Sequence, residues 1–263
     1  MLSRDSVLAR GLEPLAAALW TLFVLVSLLV AIVWAFGIGE GSLENRIGNQ
    51  DLLHASNWML GQLDFVWITL AAANAYAGVA TNEGLASARR WALWVILGVV
   101  ILAWASSKSF GPVESGNPLG SIRYSSRLGP KFGPIPVGLP LLWLAILFGA
   151  RDAVLWWLPR LSQLRVAFAT SALVAFTDFS LEPLAAGVRG FWFWQTAPGL
   201  PPSFDPPALN WLEWGVIAGL LAYCLRNDCV ATGSRPKSWK PAATLAVIHT
   251  VFLAAHIGRW TRV

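Results

Sequence analysis

The chain has 263 residues, of which 56% are hydrophobic and only 13% charged, with a net charge of +5. Soluble domains carry about 25% charged residues, so this composition excludes a soluble enzyme, a disordered chain and a coiled coil. The apolar runs are continuous rather than alternating, which argues against an outer-membrane barrel and for an all-α polytopic membrane helix bundle, a single integral membrane domain over residues 1–263.

A helix needs about 20 mostly apolar residues to cross a bilayer. The first such run, Leu15 to Ile38, has no charge and reads as a retained anchor, being longer than a signal-peptide core. The second runs from Met59 to Ala80, interrupted by Asp64 and Asn74, and the third from Trp91 to Ala105. The fourth, Ile135 to Ala150, is short and starts among prolines; Asp152 to Pro159 after it is too short to span and resembles an interfacial segment carrying Trp156 and Trp157. The fifth, Val166 to Ala185, carries Asp178 and Glu182 near its end. Leu209 to Leu225 and Pro241 to Ile257 complete a set of about seven, with a folded Gly/Pro-rich loop between the third and fourth.

Seven spans put the termini on opposite sides. Eleven Lys and Arg fall on the N-terminal side and eight on the other, so the positive-inside rule places the N-terminus in the cytoplasm. The basic charge then belongs to cytoplasmic loops rather than to a nucleic-acid surface. One loop, residues 106–134, fits poorly: it carries Lys108, Arg123, Arg127 and Lys131 on the side that should be poor in positive charge. Either that loop has a special job or one span is miscounted.

Two segments stand apart from the apolar background. Phe110 to Pro140 is too rich in Gly and Pro to form one regular helix. Irregular backbone at membrane depth is tolerated only when buried in protein or lining a cavity. The segment is therefore either a folded loop closing a pocket, with Glu114 inside it, or an exposed connector. The second segment is Thr177 to Trp211. Its Asp178 and Glu182 are four apart, so the two carboxyls are neighbours on one helix face. Two carboxylates in a poorly solvated place cannot both ionise cheaply, which leaves a proton donor beside a charged partner. Alternatively, Pro183 marks the interface and both acids sit in headgroup water. Trp192, Phe193 and Trp194 follow closely; their faces suit a cation or an interfacial belt.

Elsewhere the signals are blander. Asp64 and Asn74 read as polar glue between helices. His54, His249 and His256 lack metal-ligand spacing and read as packing or hydrogen-bonding groups, with no metal assigned. Cys224, at a helix end, and Cys229, in a loop, are too few for a disulfide framework. There is no Walker motif, GxGxxG, GxSxG or DDxxD cluster. Acids, aromatics and apolar walls remain, consistent with a cofactor-free reaction on a lipid-like molecule.

The two unusual segments resemble the CruF-type membrane carotenoid hydratases, a family that includes bisanhydrobacterioruberin hydratase and gamma-carotene 1'-hydroxylase. The likeness rests on FGPVE at Phe110 to Glu114, P-L-G-x-x-x-Y at Pro118 to Tyr124, L-G-P at Leu128 and I-P-x-x-x-P at Ile135. It resumes with D-x-x-x-E-P at Asp178, W-x-W at Trp192 and the Asn210-Trp211 pair, covering about residues 105–215 in order. The chain departs from the pattern in having Glu182 where Asp is commoner, and in the Pro-rich stretch before Asn210. The resemblance implies water addition to the terminal double bond of an acyclic carotenoid, with no cofactor, in a prokaryotic cytoplasmic membrane. It implies Asp178 or Glu182 as the acid, Glu114 as its partner or the base for water, and Trp192 and Trp194 as cation shields. Phe110, Tyr124, Asn210 and Trp211 would complete the substrate site. The partners implied are a carotenoid or other long isoprenoid and membrane lipid, with no nucleic acid and no stated oligomeric state. A membrane lycopene cyclase and a non-catalytic carotenoid-binding protein are the competing readings.

Overall fold

A computed structural model describes residues 4–36, 50–109, 122–194, 210–225 and 228–261. Its helices are α1 (Arg4–Ala35), α2 (Gln50–Glu83), α3 (Leu85–Ser109), α4 (Gly138–Trp157), α5 (Gln163–Ala185), α6 (Asn210–Cys224), α7 (Asp228–Thr232) and α8 (Lys240–Trp260). Four short strands join them: β1 (Ile122–Tyr124), β2 (Lys131–Phe132), β3 (Ile135–Pro136) and β4 (Trp192–Trp194). All of α1–α5 and α8 are long and apolar enough to cross a membrane. The sixth expected span, α6, has only 15 described residues, about 22 Å at 1.5 Å per residue, and lies against α5 along its length. The all-α bundle expected from composition is the fold found.

Helix α4 is the centre of the bundle. Nearly every residue from Gly138 to Leu155 is buried, and α2, α3, α5 and α8 all pack on it. By contrast α1 and α3 turn Leu15, Leu25, Leu28, Leu93, Trp94 and Ile101 outward, as a lipid-facing helix should.

Charge placement explains where the sequence misjudged α4. The helix runs on through Asp152 to Trp157, so the segment expected to be interfacial is its last two turns. Arg151 and Asp152 are both 1% exposed and pair with each other at 2.7 Å. Asn82 of α2 donates to Asp152 at 2.8 Å, and the Arg151 guanidinium lies 4.4 Å from the centre of the Trp91 ring. Two charges that seemed to end a span are thus neutralised inside the bundle. Cys229 is likewise not in a loop but buried in α7; burial and the Glu83 and Asp152 carboxyls push its thiol up, in keeping with a structural role.

The irregular segment before α4 folds back over the end of the bundle where α4 begins and α5 ends. Strand β1 pairs antiparallel with β4, placing Ile122 opposite Trp194 and Tyr124 opposite Trp192. Side chains alternate across a strand, and these four are the buried ones. The described part of the loop is therefore a cover, not an exposed connector. Two of its cations are tied into that cover: Arg127 donates to the Arg189 carbonyl at 2.9 Å and Lys131 to the Tyr124 carbonyl. Six described helices, not seven, are long and apolar enough to cross a membrane, so the seven-span count behind the charge tally is itself corrected.

Candidate active site beneath the strand cover

Helix α5 brings Asp178 and Glu182 to the same face, one turn apart. Both are nearly sealed from solvent, at 2% and 3% exposure, so they do not sit in headgroup water. Pro183 follows without ending the helix, which continues to Ala185.

Helix α6 supplies what holds the two acids together. Gly215 and Gly219 form a GxxxG pair, which lets two helices approach closely in a membrane. A Cβ on Gly215 would meet the Ala175 Cβ at 2.8 Å and the Ser171 carbonyl oxygen at 3.2 Å. One on Gly219 would meet the Ser171 Cβ at 3.0 Å. This antiparallel contact carries Asn210, at the start of α6, to the acid end of α5. Its side-chain amide has two hydrogens to give: it donates to Asp178 Oδ2 at 3.1 Å and to Glu182 Oε1 at 2.6 Å. From the strand cover, Trp192 Nε1 donates to Glu182 Oε2 at 3.1 Å. Among the described residues Glu182 thus accepts two hydrogen bonds and Asp178 one. Among the described residues no cation pairs with either carboxyl.

The acids line a small cavity with Ile122, Tyr124, Leu139, Trp143, Trp192 and Trp214. Trp143 of α4 and Trp214 of α6 stack face to face, with ring centres 4.1 Å apart, and the Tyr124 ring meets Trp192 edge-on. A second, wholly apolar void, no roomier than the first, shares Trp143 and Trp214. It runs down between α3, α4 and α6 past Val95, Val99, Leu147, Ile217, Ala218 and Leu221. The acids thus lie among indole faces, which suit a cation, with an apolar void next to them.

The cover that carries Trp192 is pinned from below. Arg189, in the turn between α5 and β4, is 1% exposed. It reaches Asp64 of α2 through Nε at 3.0 Å and a terminal nitrogen at 2.5 Å. Trp34 of α1 donates to the other Asp64 oxygen at 3.0 Å. Asn74 donates to the Leu19 carbonyl of α1. Both polar groups of α2 therefore join it to neighbouring segments, in line with the glue reading. His249 bonds Thr177 at 3.0 Å and His256 bonds the Ser180 carbonyl at 2.9 Å, so both hold α8 to α5. Among the described residues no group of His, Cys, Asp and Glu is arranged to hold a metal.

Of the residues expected to form the site, Asp178, Glu182, Tyr124, Trp192 and Asn210 converge on one cavity or on its acids. Trp194 is buried beside them and lines an adjoining void. Phe110 and Glu114 lie outside the described residues, as does the side chain of His54. Trp211 is 39% exposed and does not line the cavity. Trp214 takes that place, and the signal was present: it lies four residues from Asn210, hence on the same helix face. Trp143 and Arg189 were also missed; neither has a local motif, since their partners lie in other helices.

The model of a family described as carotenoid biosynthesis protein matches residues 62–261, about three quarters of the chain. No curated protein and no solved structure matches. The matched stretch contains every acid, indole and amide of the cavity and omits α1.

Proposed function

The chain belongs to the carotenoid biosynthesis protein family, and from that premise we propose that it hydrates the terminal double bond of an acyclic carotenoid in a prokaryotic cytoplasmic membrane. The single observation that carries this reading is the buried acid pair, bridged by Asn210 and, among the described residues, lacking any cationic partner. An unpaired buried charge is costly, so two such carboxyls share their site at least cost when one keeps its proton.

The hydrogen bonds divide the labour. Glu182 accepts from Asn210 and Trp192, which favours its charged form. Among the described residues Asp178 accepts from Asn210 alone, so in this reading it is the group that keeps the proton and gives it to the alkene. Protonation at the inner carbon of the terminal double bond leaves a tertiary cation at the outer one. The Glu182 carboxylate and the faces of Trp192, Trp143 and Trp214 stabilise that cation. Water then captures it, and the hydroxyl proton is lost to a base. The apolar cleft past Val99 and Leu221 suits the polyene tail. The cavity at the acids is small, so entry of the end group requires the indole walls to part.

The test is expression in lycopene-accumulating bacteria, with the extracted pigments weighed by mass spectrometry. Hydration adds the mass of one water for each end group. Pigment of unchanged mass and altered absorption would mean cyclisation, and unaltered pigment a binding protein; either would overturn the reading.

A further inference from the structure

Beside the acid pair lies a second void that the proton-transfer step does not use. It is lined by Leu102, Ile122, Tyr124, Trp194, Asn210, Glu213 and Trp214. The room at its centre is about 10 Å³, about what one water needs. Ile122, Tyr124 and Trp214 are walls of both voids, so they adjoin. Two polar features mark this one. Glu213 sits one turn along α6 from Asn210, half-buried, and close enough for its charge to act on Asp178. Trp194 is 2% exposed, and its indole N–H has no hydrogen-bond partner among the described residues. A buried donor without a partner costs about 1–3 kcal/mol, and a water-sized void lined by that indole and by a carboxylate offers a water partners of both kinds.

We infer that this void, between Glu213 and the Trp194 indole N–H, is the binding site of the reactant water, and that Glu213 is the base that takes its proton. The inference rests on the hydratase reading and deepens it. The Asp178 proton goes to the inner alkene carbon as the π bond breaks. The oxygen of the water held by Glu213 and Trp194 forms the new bond to the tertiary cation. One of its protons passes to the Glu213 carboxylate, and from there back to Asp178 before the next turnover. The sum is one water across one double bond. Asn210, whose amide bonds both carboxyls of α5, also lines the water void, and α6 carries the base one turn further on.

The experiment compares wild type, Glu213→Gln and Trp194→Phe in membranes supplied with lycopene in heavy water. Loss of a base costs about 10²–10⁴-fold. Glu213→Gln is expected to lose hydrated product by at least about 10²-fold while the recovered substrate gains deuterium at its end groups, because protonation proceeds and the cation reverts. Trp194→Phe keeps the ring and removes the donor, and is expected to show the same pattern at about tenfold loss. Hydration by Glu213→Gln at the wild-type rate would overturn the assignment. So would loss of product with no deuterium in the substrate, because Glu213 would then serve protonation or folding instead. If wild type itself forms no hydrated product, it is the hydratase reading that fails.

Discussion

Two buried acidic sites, Asp64 and the Asp178–Glu182 pair, lie near the strand cover and are treated in opposite ways. Asp64 meets a guanidinium: Arg189 binds one of its oxygens twice and Trp34 the other. Among the described residues Asp178 and Glu182 meet only neutral donors, the Asn210 amide and the Trp192 indole. The first arrangement matches a charge with a counter-charge. The second offers none, which is why the proposed mechanism places the transferable proton there. In that proposal the identity of the partner, and not burial alone, marks the functional acid.

The contrast is broken most severely at Asp178. Asp178→Asn keeps the shape and the Asn210 contact but holds no transferable proton, so product formation is expected to fall by about 10²–10⁴-fold. The folded protein is expected to survive in detergent, as judged by gel filtration. Asp64→Asn should do the reverse. It leaves Arg189 buried without its counter-charge, costing about 3–5 kcal/mol. The expected result is a lowered melting temperature and a poor yield of folded protein. Converting both partners, Asp64→Leu with Arg189→Met, is expected to recover most of that stability, whereas no second substitution at a cation can rescue Asp178→Asn.

Smaller effects sharpen the picture. Gly215→Val places methyl groups where the Ala175 Cβ already stands at 2.8 Å from an added Cβ. Overpacking of this kind costs about 1–3 kcal/mol, and the displaced α6 takes Asn210 off the acids. Turnover is expected to drop along with thermal stability. Trp192→Phe removes one donor to Glu182 and keeps an aromatic face. A hydrogen bond to a charged group contributes about 1.5–3 kcal/mol to stability, so the melting temperature is expected to fall, and turnover per folded molecule to fall about 10–100-fold. A lowered melting temperature with wild-type turnover per folded molecule would mean that the indole serves folding alone.

The same contrast explains what the sequence could and could not disclose. The apolar runs are long, so α1 and α8 are legible from hydropathy. Asp178 and Glu182 are legible because helical spacing makes neighbours of residues four apart. Arg151 and Asp152 misled the reading of α4, because a charge in a sequence does not reveal that its neutralising partner is adjacent and buried. Arg189 carried no local signal at all: its partner Asp64 lies 125 residues away. The GxxxG pair at Gly215 and Gly219 was visible, but its use, bringing Asn210 to α5, depends on which helix it meets. Asn210 itself was singled out by the family motif, and only the fold gives the physical reason. Trp211 was chosen over Trp214 because it adjoins Asn210 in the chain, whereas facing the same cavity follows the helical turn.

The central claim is that Asp178 gives its proton to the terminal alkene carbon. Product formed in heavy water by wild type should carry one non-exchangeable deuterium on the carbon next to each new carbinol, read by mass spectrometry and NMR. In Asp178→Asn, neither hydrated product nor deuterated substrate should appear. Deuterated substrate or product from Asp178→Asn at the wild-type rate would contradict the account.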